Sequence, residues 1–222
     1  MRYLKSYNEN LDINSIESIC KKYRIRNYNI NSDGSITVDG NVNLSNKSLI
    51  IIPIKFKLVS GVFDCSHNRL TTLFGSPLML GDNFNCNNNS LKTLEYSPQR
   101  VDGWFDCSYN ELITLKGSPK KIGGPFDCSG NRLRTLEFGP EIVGDGYYCN
   151  YNEIQTLKWM PREFRYFFGE RNRLPKILLS NIDHIDIIFK EAEDFSIWRK
   201  DGSLDELRFK YMLDILKEEG KI

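Results

Sequence analysis

Five related segments decide the fold of this chain: FDCSHNRLTTL (63–73), FNCNNNSLKTL (84–94), FDCSYNELITL (105–115), FDCSGNRLRTL (126–136) and YYCNYNEIQTL (147–157). They begin at intervals of 21 residues, and each has a cysteine at its third position and an asparagine at its sixth. A fixed period of this length is typical of a solenoid, in which one coil of chain stacks on the next. The repeated residues are Cys65, Cys86, Cys107, Cys128 and Cys149, and Asn68, Asn89, Asn110, Asn131 and Asn152.

Alternation along a strand assigns each position of the repeat to the inside or the outside. Phe63 and Cys65 are predicted to point inward, and Asp64 and Ser66 outward. The asparagines follow the strand, where the chain turns and buried backbone groups lack ladder partners. An amide side chain can bond both donors and acceptors there. We therefore interpret the asparagines as structural rather than catalytic.

The cysteine column is predicted to consist of buried, reduced thiols. Equivalent residues of stacked parallel strands lie about 4.8 Å apart with parallel side chains. This spacing is wider than the roughly 3.8 Å between Cβ atoms that a disulfide prefers. A disulfide framework, the usual interpretation of several cysteines in a short secreted protein, is the alternative. Reduced thiols predict a reducing compartment and hence a cytoplasmic protein.

Residues 1–40 are predicted to form an N-terminal leader followed by a helix and a β-hairpin that cap the solenoid. Asn14 and Ser15 can cap the helix, and Ile16, Ile19 and Cys20 form its apolar stripe. A DG turn at residues 33–34 between two alternating runs predicts the hairpin. The repeat then covers residues 41–177, with a degenerate first coil and a shorter last one, which makes about seven coils.

Residues 178–222 are predicted to form a helical C-terminal cap. Ser203 begins a capping-box pattern, so we expect the last helix to start there. The predicted buried stripe of that helix is Leu204, Leu207, Tyr211 and Ile215.

Glycine and proline recur in the second half of each coil and predict its corners, since glycine permits positive φ and proline fixes a turn. A glycine-rich phosphate cradle at Gly123-Gly124 and Gly144-Asp145-Gly146 is the alternative. Neither a following helix nor a Lys-Ser/Thr pair accompanies these glycines, so the corner is the favoured interpretation.

The pattern resembles the leucine-rich repeat, L-x-x-L-x-L-x-x-N-x-L, over roughly residues 41–177. Phe63, Cys65, Asn68, Leu70 and Leu73 match its positions, with an aromatic residue and a cysteine where leucines are usual. The resemblance implies an α/β leucine-rich-repeat solenoid with an α/β N-terminal cap and a helical C-terminal cap. One short parallel strand per 21-residue coil would form a concave sheet. The convex side would be extended, irregular or 3₁₀.

Most of the chain also resembles uncharacterised leucine-rich-repeat proteins of large tailed bacteriophages. The likeness rests on the MxYLKxYNE-like start, on NINSDGSITVDGNVNLSN (29–46) and on the FDCSxNxLxTLxGxP repeats. The start is similar to phage leader peptides that are removed after a glutamate during capsid maturation. This likeness would place a cleavage point after Glu9; an ordinary N-terminus is the alternative.

Signatures of catalysis, cofactors and membranes are lacking in the sequence. His67 and His184 lie in different segments without a metal-ligand or nucleophile motif. The net charge of +1 gives no general attraction to nucleic acid or membranes. The polar start has no secretory h-region, and no apolar run reaches the roughly 20 residues that span a bilayer. We expect a non-enzyme without metal or cofactor that does not enter membranes.

The outward positions of the predicted concave sheet form the candidate binding surface. Exposed aromatic side chains are preferred anchors of protein interfaces. The surface is predicted to bind a protein and to be acidic toward the N-terminal coils and aromatic toward the C-terminal ones. Its residues are Asp64, His67, Trp104, Asp106, Tyr109, Asp127, Tyr148, Tyr151, Tyr166, Phe168 and Arg171.

The favoured interpretation is a non-catalytic protein–protein interaction module. The phage resemblance would make it one that binds and modulates a host protein, such as a defence protein, in the host cytoplasm. Three alternatives stay open. The termini or the C-terminal segment could fold over the aromatic face. The chain could be a virion-associated or packaged structural protein. It could also stack single-stranded nucleic acid on its aromatic residues, although the face lacks the usual basic groove.

Overall fold

The chain forms a β-solenoid in which each coil carries two short strands on opposite sides. The computed structural model describes residues 11–222. The predicted leader and its cleavage point after Glu9 therefore lie outside the described residues. The strands are β1 (Tyr28–Ile30), β2 (Ile36–Val38), β3 (Val42–Asn43), β4 (Phe56–Val59), β5 (Phe63–Asp64), β6 (Met79–Leu80), β7 (Phe84–Asn85), β8 (Arg100–Val101), β9 (Phe105–Asp106), β10 (Lys121–Ile122), β11 (Phe126–Asp127), β12 (Ile142–Val143), β13 (Gly146–Tyr148) and β14 (Tyr166–Phe168).

Seven strands form the sheet that the repeat predicts, which we call the front sheet. Its order is β14-β13-β11-β9-β7-β5-β3, and all neighbours run parallel. Phe63 lies opposite Phe84, and the backbone N–H of Phe63 donates to the Asn83 carbonyl at 2.9 Å. The parallel solenoid with a period of about 21 residues is thus confirmed, and six turns of chain join the seven strands.

The opposite side of the coils also forms a sheet, which we call the back sheet. Its order is β1-β2-β4-β6-β8-β10-β12, parallel except for the β1–β2 hairpin. The 3₁₀ path considered for this side is therefore wrong; short extended segments pair into the sheet, and the residues around them are irregular. Each coil points a buried apolar residue inward here, as Val101 and Ile122 do, so adjacent backbones come into register and pair. Within residues 11–222, 3₁₀ structure is confined to Ile182–His184 in the C-terminal cap.

Stacked aromatic rings fill the core behind the front sheet. Phe63, Phe84, Phe105, Phe126 and Tyr147 are fully buried, and consecutive centroids lie 5.0–5.9 Å apart. Burial of each such ring contributes on the order of 1.5–3 kcal/mol. The column holds the coils in register, because a slip by one residue would turn every ring toward water.

The column also contains one buried polar group, the Tyr147 hydroxyl, whose surroundings offer it no strong hydrogen-bond partner. The buried Tyr147 hydroxyl has no nitrogen or oxygen partner in the described structure, and the Cys128 thiol beside it is only a weak hydrogen-bonding group. Phenylalanine occupies the equivalent position in the four preceding coils. We therefore expect Tyr147→Phe to raise the free energy of unfolding by about 1 kcal/mol, because it removes an unpaired buried group. Urea denaturation measures the change, and a loss of stability would show that the hydroxyl is satisfied.

A helix and a hairpin cover the first coil. Helix α1 (Ile13–Tyr23) begins after Asp12, whose carboxylate accepts a hydrogen bond from the Ser15 N–H at 2.7 Å. The cap expected at Asn14 or Ser15 thus lies two or three residues too late, inside the helix. Ile16 and Cys20 of this helix are buried against the solenoid.

Short helices cover the last coil: α2 (Lys176–Leu179), the 3₁₀ turn Ile182–His184, α3 (Ile185–Glu191) and α4 (Glu206–Glu218). Helix α4 begins after Asp205, which accepts from the Arg208 N–H, so Ser203 is not its cap. The predicted stripe was wrong beyond Leu204, since Leu207 and Tyr211 are 79% and 63% exposed and Ile215 is half-buried. The buried face instead follows an i, i+3, i+4, i+7 spacing of apolar side chains that lies on another side of the helix. Its buried residues are Phe209, Met212, Leu213 and Leu216.

Candidate functional site

Four of the predicted surface residues come together on the outward side of the front sheet, which we call the front face. Trp104, Asp106, Asp127 and Tyr148 line a depression of about 230 Å³, together with Phe105 and Pro125. The lining residues belong to, or directly precede, β9, β11 and β13, which are adjacent in the front sheet. The depression is therefore formed by three successive coils together, and no single repeat contains it.

Glycine sets the direction of one wall of this depression. The ring of Tyr148 folds back over Gly146, where an added Cβ would lie 2.5 Å from Tyr148 Cε2. On its other side the Tyr148 ring stacks on Phe168, with centroids 4.6 Å apart and planes 1° from parallel. The tyrosine is thus held in one orientation. Gly146 has no chemistry of its own, and its place in the outward column beside Trp104 and Pro125 is the one sequence signal that could have identified it.

The aspartates on this face also close the turn after each strand. Asp106 Oδ1 accepts from the Ser108 N–H at 2.9 Å, and Asp127 Oδ1 accepts from the Ser129 N–H at 2.8 Å. Asn85 forms the same bond one coil earlier, so the turn does not require a charged residue. Partial burial raises the pKa of the Asp127 carboxyl, and the Asp106 charge adds to this, against hydrogen bonds from Ser129 that lower it.

The raised pKa predicts a pH-dependent effect of Asp127→Asn. The aspartate stabilises the fold most below the ordinary carboxyl pKa of 3.8, and this contribution is lost as the pH rises through the higher folded-state pKa. Asparagine does not titrate and keeps the turn bond. We therefore expect the stability of the variant relative to wild type to increase from acidic to neutral pH. Urea denaturation across that range checks this, and a difference that shrinks with rising pH would contradict it.

An exposed column runs along the edge of the front face, where the chain leaves each strand. Tyr109, Tyr151 and Arg171 lie in it with φ of 51°, 55° and 55°, a left-handed conformation that non-glycine residues seldom adopt. Backbone hydrogen bonds between neighbouring coils hold this conformation. For example, the Tyr109 N–H donates to the Ser129 carbonyl at 2.8 Å. The Arg171 guanidinium lies 5.6 Å from the Tyr151 ring centroid, a cation–π contact. The column thus presents exposed rings at fixed positions.

The remaining predicted residues lie farther from the depression. Tyr166 and Phe168 belong to the last front strand and are 59% and 41% exposed. Asp64 and His67 lie two coils before Trp104, so they are not part of the same cluster.

The C-terminal segment packs against the end of the solenoid. Thr156 Oγ donates to the Gly202 carbonyl at 2.6 Å, and Gly202 lies against the Trp159 ring. A second cavity, of about 470 Å³, lies between the 158–164 stretch and the segment that follows, with Phe164, Phe189 and Trp198 among its lining residues. These contacts are on residues outside the front strands. The depression and the exposed column stay open in the part of the chain that the structure describes.

The asparagine column carries backbone hydrogen bonds between coils. Asn110 Oδ1 accepts from the Leu91 N–H at 3.0 Å, and Asn110 Nδ2 donates to the carbonyls of Cys86, Cys107 and Ser108. The other asparagines repeat this set with equivalent partners: Asn68, Asn89, Asn131 and Asn152, and Asn172 in the last coil.

The cysteine column is buried and unreactive in character. All five repeat thiols are free and fully buried, with no disulfide among the described residues. Burial raises the pKa of Cys107 well above its ordinary value, and the neighbouring thiols Cys86 and Cys128 add to the shift. A thiol held neutral is a poor nucleophile.

The corner glycines have no free backbone donors for a phosphate. The Gly123 N–H donates to the Val101 carbonyl and the Gly124 N–H to the Gly103 carbonyl, each at 2.9 Å. A phosphate cradle needs such groups unpaired. The structure therefore supports the corner interpretation.

The described residues show no sign of a metal site or a membrane-spanning helix. Residues 11–222 contain no group of three or more His, Cys, Asp or Glu side chains placed to hold a metal ion. Within the same range no helix has the length and apolarity to cross a membrane. Comparison with protein-family models, curated proteins and solved structures gives no match. The likeness to leucine-rich repeats thus rests on the period and on the geometry of the coils.

Proposed function

We propose that the chain is a non-catalytic protein-interaction module and that the front face binds the partner. The observation that supports this most is the set of aromatic side chains that residues 11–222 leave open on that face. Tyr109, Tyr151 and Tyr166 are each more than half exposed, at 59%, 54% and 59%. Tyrosine and tryptophan are the residues that most often carry binding energy when a partner covers them.

A capture experiment with matched variants tests the proposal. The full-length chain is immobilised and exposed to a bacterial lysate, with Trp104→Ala/Tyr148→Ala as the front-face variant. Tyr96→Ala/Phe138→Ala is the control, because Tyr96 and Phe138 are also accessible aromatic residues, 54% and 53% exposed, but lie in the corner after each Leu-x-x-Leu segment.

We expect the front-face variant to reduce capture of the partner at least about tenfold, since each buried anchor is typically worth more than 1 kcal/mol. The control variant should capture as much as wild type, and thermal unfolding should show that both variants fold. If the front-face variant retains every captured protein, the front face is not the binding surface.

The phage resemblance refines the proposal to a host protein as the partner. In that case the chain acts in the host cytoplasm and modulates its partner by occluding it. A virion-associated role is the alternative. It predicts the chain in purified particles, where intact-mass measurement would also show whether it is cut after Glu9.

The charge of the front face argues against nucleic acid. Asp64, Asp106 and Asp127 repeat along the sheet and would repel a phosphate backbone. We therefore expect no binding of single-stranded oligonucleotides at low salt. Binding that weakens steeply with added salt would favour the nucleic-acid alternative.

A further inference from the structure

We propose that the depression between Trp104 and Tyr148 receives an arginine side chain of the protein partner. This inference rests on the proposed function and specifies its chemistry, namely a partner segment that presents a guanidinium group. The depression combines the aromatic side chains of Trp104 and Tyr148, with Pro125 between them, and the two carboxylates of Asp106 and Asp127. Rings and carboxylates together form the surroundings that a planar cation prefers.

The two ring walls lie at strands that flank β11. Trp104 directly precedes β9 and Tyr148 ends β13, and β11 lies between these two strands. Strands two apart in a sheet are separated by roughly 10 Å. Pro125 directly precedes β11 and has a low side chain, so the space above it is open between the rings. Gly146 and Phe168 hold the Tyr148 ring in place, so this wall is formed before a partner arrives.

The charges at this place are unbalanced within the chain. Asp106 and Asp127 are paired residues of adjacent strands. The backbones of such strands lie about 4.8 Å apart. Neither carboxylate belongs to an ion pair in residues 11–222, and no Lys, Arg or His lines the depression. The partial burial that raises the pKa of Asp127 makes an external cation more favourable there. Asp106 Oδ2 accepts from Asn87 Nδ2 at 2.7 Å, and a guanidinium fork can donate to the remaining lone pairs of both carboxylates.

Arginine fits better than lysine for a geometric reason. The lysine ammonium is a compact, strongly hydrated charge that cannot stack between two rings. Arginine loses less hydration and uses its flat face and its edge together. The depression is therefore expected to bind a neutral group of the same shape much more weakly than arginine.

NMR of the tryptophan indole N–H groups tests this directly. The chain has three tryptophans, so Trp159 and Trp198 serve as internal references for Trp104. The probe is N-acetyl-arginine methylamide, with the isosteric citrulline compound as the neutral control and the lysine compound as the charged one. We expect a saturable shift of the Trp104 signal alone with arginine, a weaker response with lysine and none with citrulline. No saturation at tens of millimolar arginine compound, or an equal response to citrulline, would overturn the proposal.

Three variants separate the contributions of charge and wall. Asp106→Asn/Asp127→Asn should weaken the arginine response at least about tenfold, and Asn85 shows that asparagine fits this position. Gly146→Ala keeps both carboxylates but displaces the Tyr148 ring, so it should also weaken the response. Asp64→Asn is the matched control from a coil outside the depression and should respond as wild type does.

The capture experiment distinguishes the two proposals. If Trp104→Ala/Tyr148→Ala abolishes capture while Asp106→Asn/Asp127→Asn leaves it unchanged, the front face binds a partner but not through an arginine. If the aromatic variant captures normally, the proposed function fails, whatever the probe shows at Trp104.

Discussion

Replacing Asn110 with alanine should lower the free energy of unfolding by about 3–5 kcal/mol. The side chain accepts from the Leu91 N–H and donates to the carbonyls of Cys86, Cys107 and Ser108. The site is buried, so water cannot replace these bonds freely. Each buried group left unpaired costs about 1–3 kcal/mol. Because one amide serves two successive coils, its loss loosens both.

Urea denaturation measures the global effect, and hydrogen exchange at the Leu91 amide locates it. Exchange at Leu91 should accelerate more than exchange in the distant hairpin, since a solenoid coil contacts only its neighbours. Gln99→Ala is the control, because Gln99 is exposed; it should change stability by less than about 0.5 kcal/mol. An effect of Asn110→Ala below about 1 kcal/mol would show that the asparagine column does not hold the coils together.

Gly123→Ala is expected to be the second severe change, lowering the free energy of unfolding by at least about 2 kcal/mol. A Cβ at this position would overlap the backbone carbonyl of Asp102 in the preceding coil. Backbone cannot rotate away as a side chain can, so the coils must separate locally and strain the pairing of β8 with β10. The cost is steric and arises from stacking, not from the φ of Gly123.

Gly34→Ala provides the matched comparison. Gly34 has a φ of +74°, but no atom lies within 4 Å of an added Cβ. It should cost about 1 kcal/mol through backbone strain alone. Thermal and urea unfolding of both variants should therefore rank Gly123→Ala as clearly worse. The opposite order would mean that the coils are not packed as closely as the structure shows.

The period alone predicted the parts of the fold that repeat in every coil. Residues equivalent to Phe63 and Cys65 recur every 21 residues, so alternation along one strand determines which side chains are buried in every coil. The same logic left the back of the coils open between an extended, an irregular and a 3₁₀ path, and it did not predict the pairing of these segments into a sheet. Whether extended segments pair depends on how closely the corners bring them together, and that distance is not visible in Leu80 or Val101 alone.

Features formed by non-equivalent residues could not be predicted in this way. The depression exists because Trp104, Pro125 and Gly146 occupy the same position in three coils, and glycine lets the Tyr148 ring fold over it. The sequence shows that these residues face outward but not where a ring points. The stripe of α4 was misassigned because the helix offers two sets of apolar residues at helical spacing, and packing on the last coil buries the set that contains Phe209 and Met212.

Footprinting of the captured complex is the most direct test of the front face as the binding surface. Hydroxyl radicals oxidise exposed aromatic side chains, and mass spectrometry compares each residue with and without the partner. We predict that binding protects Trp104, Tyr109 and Tyr148, while Tyr96 and Phe138 stay as reactive as in the free chain. Protection of Tyr96 and Phe138 with unchanged oxidation of Trp104 and Tyr148 would contradict the proposal and place the partner elsewhere on the solenoid.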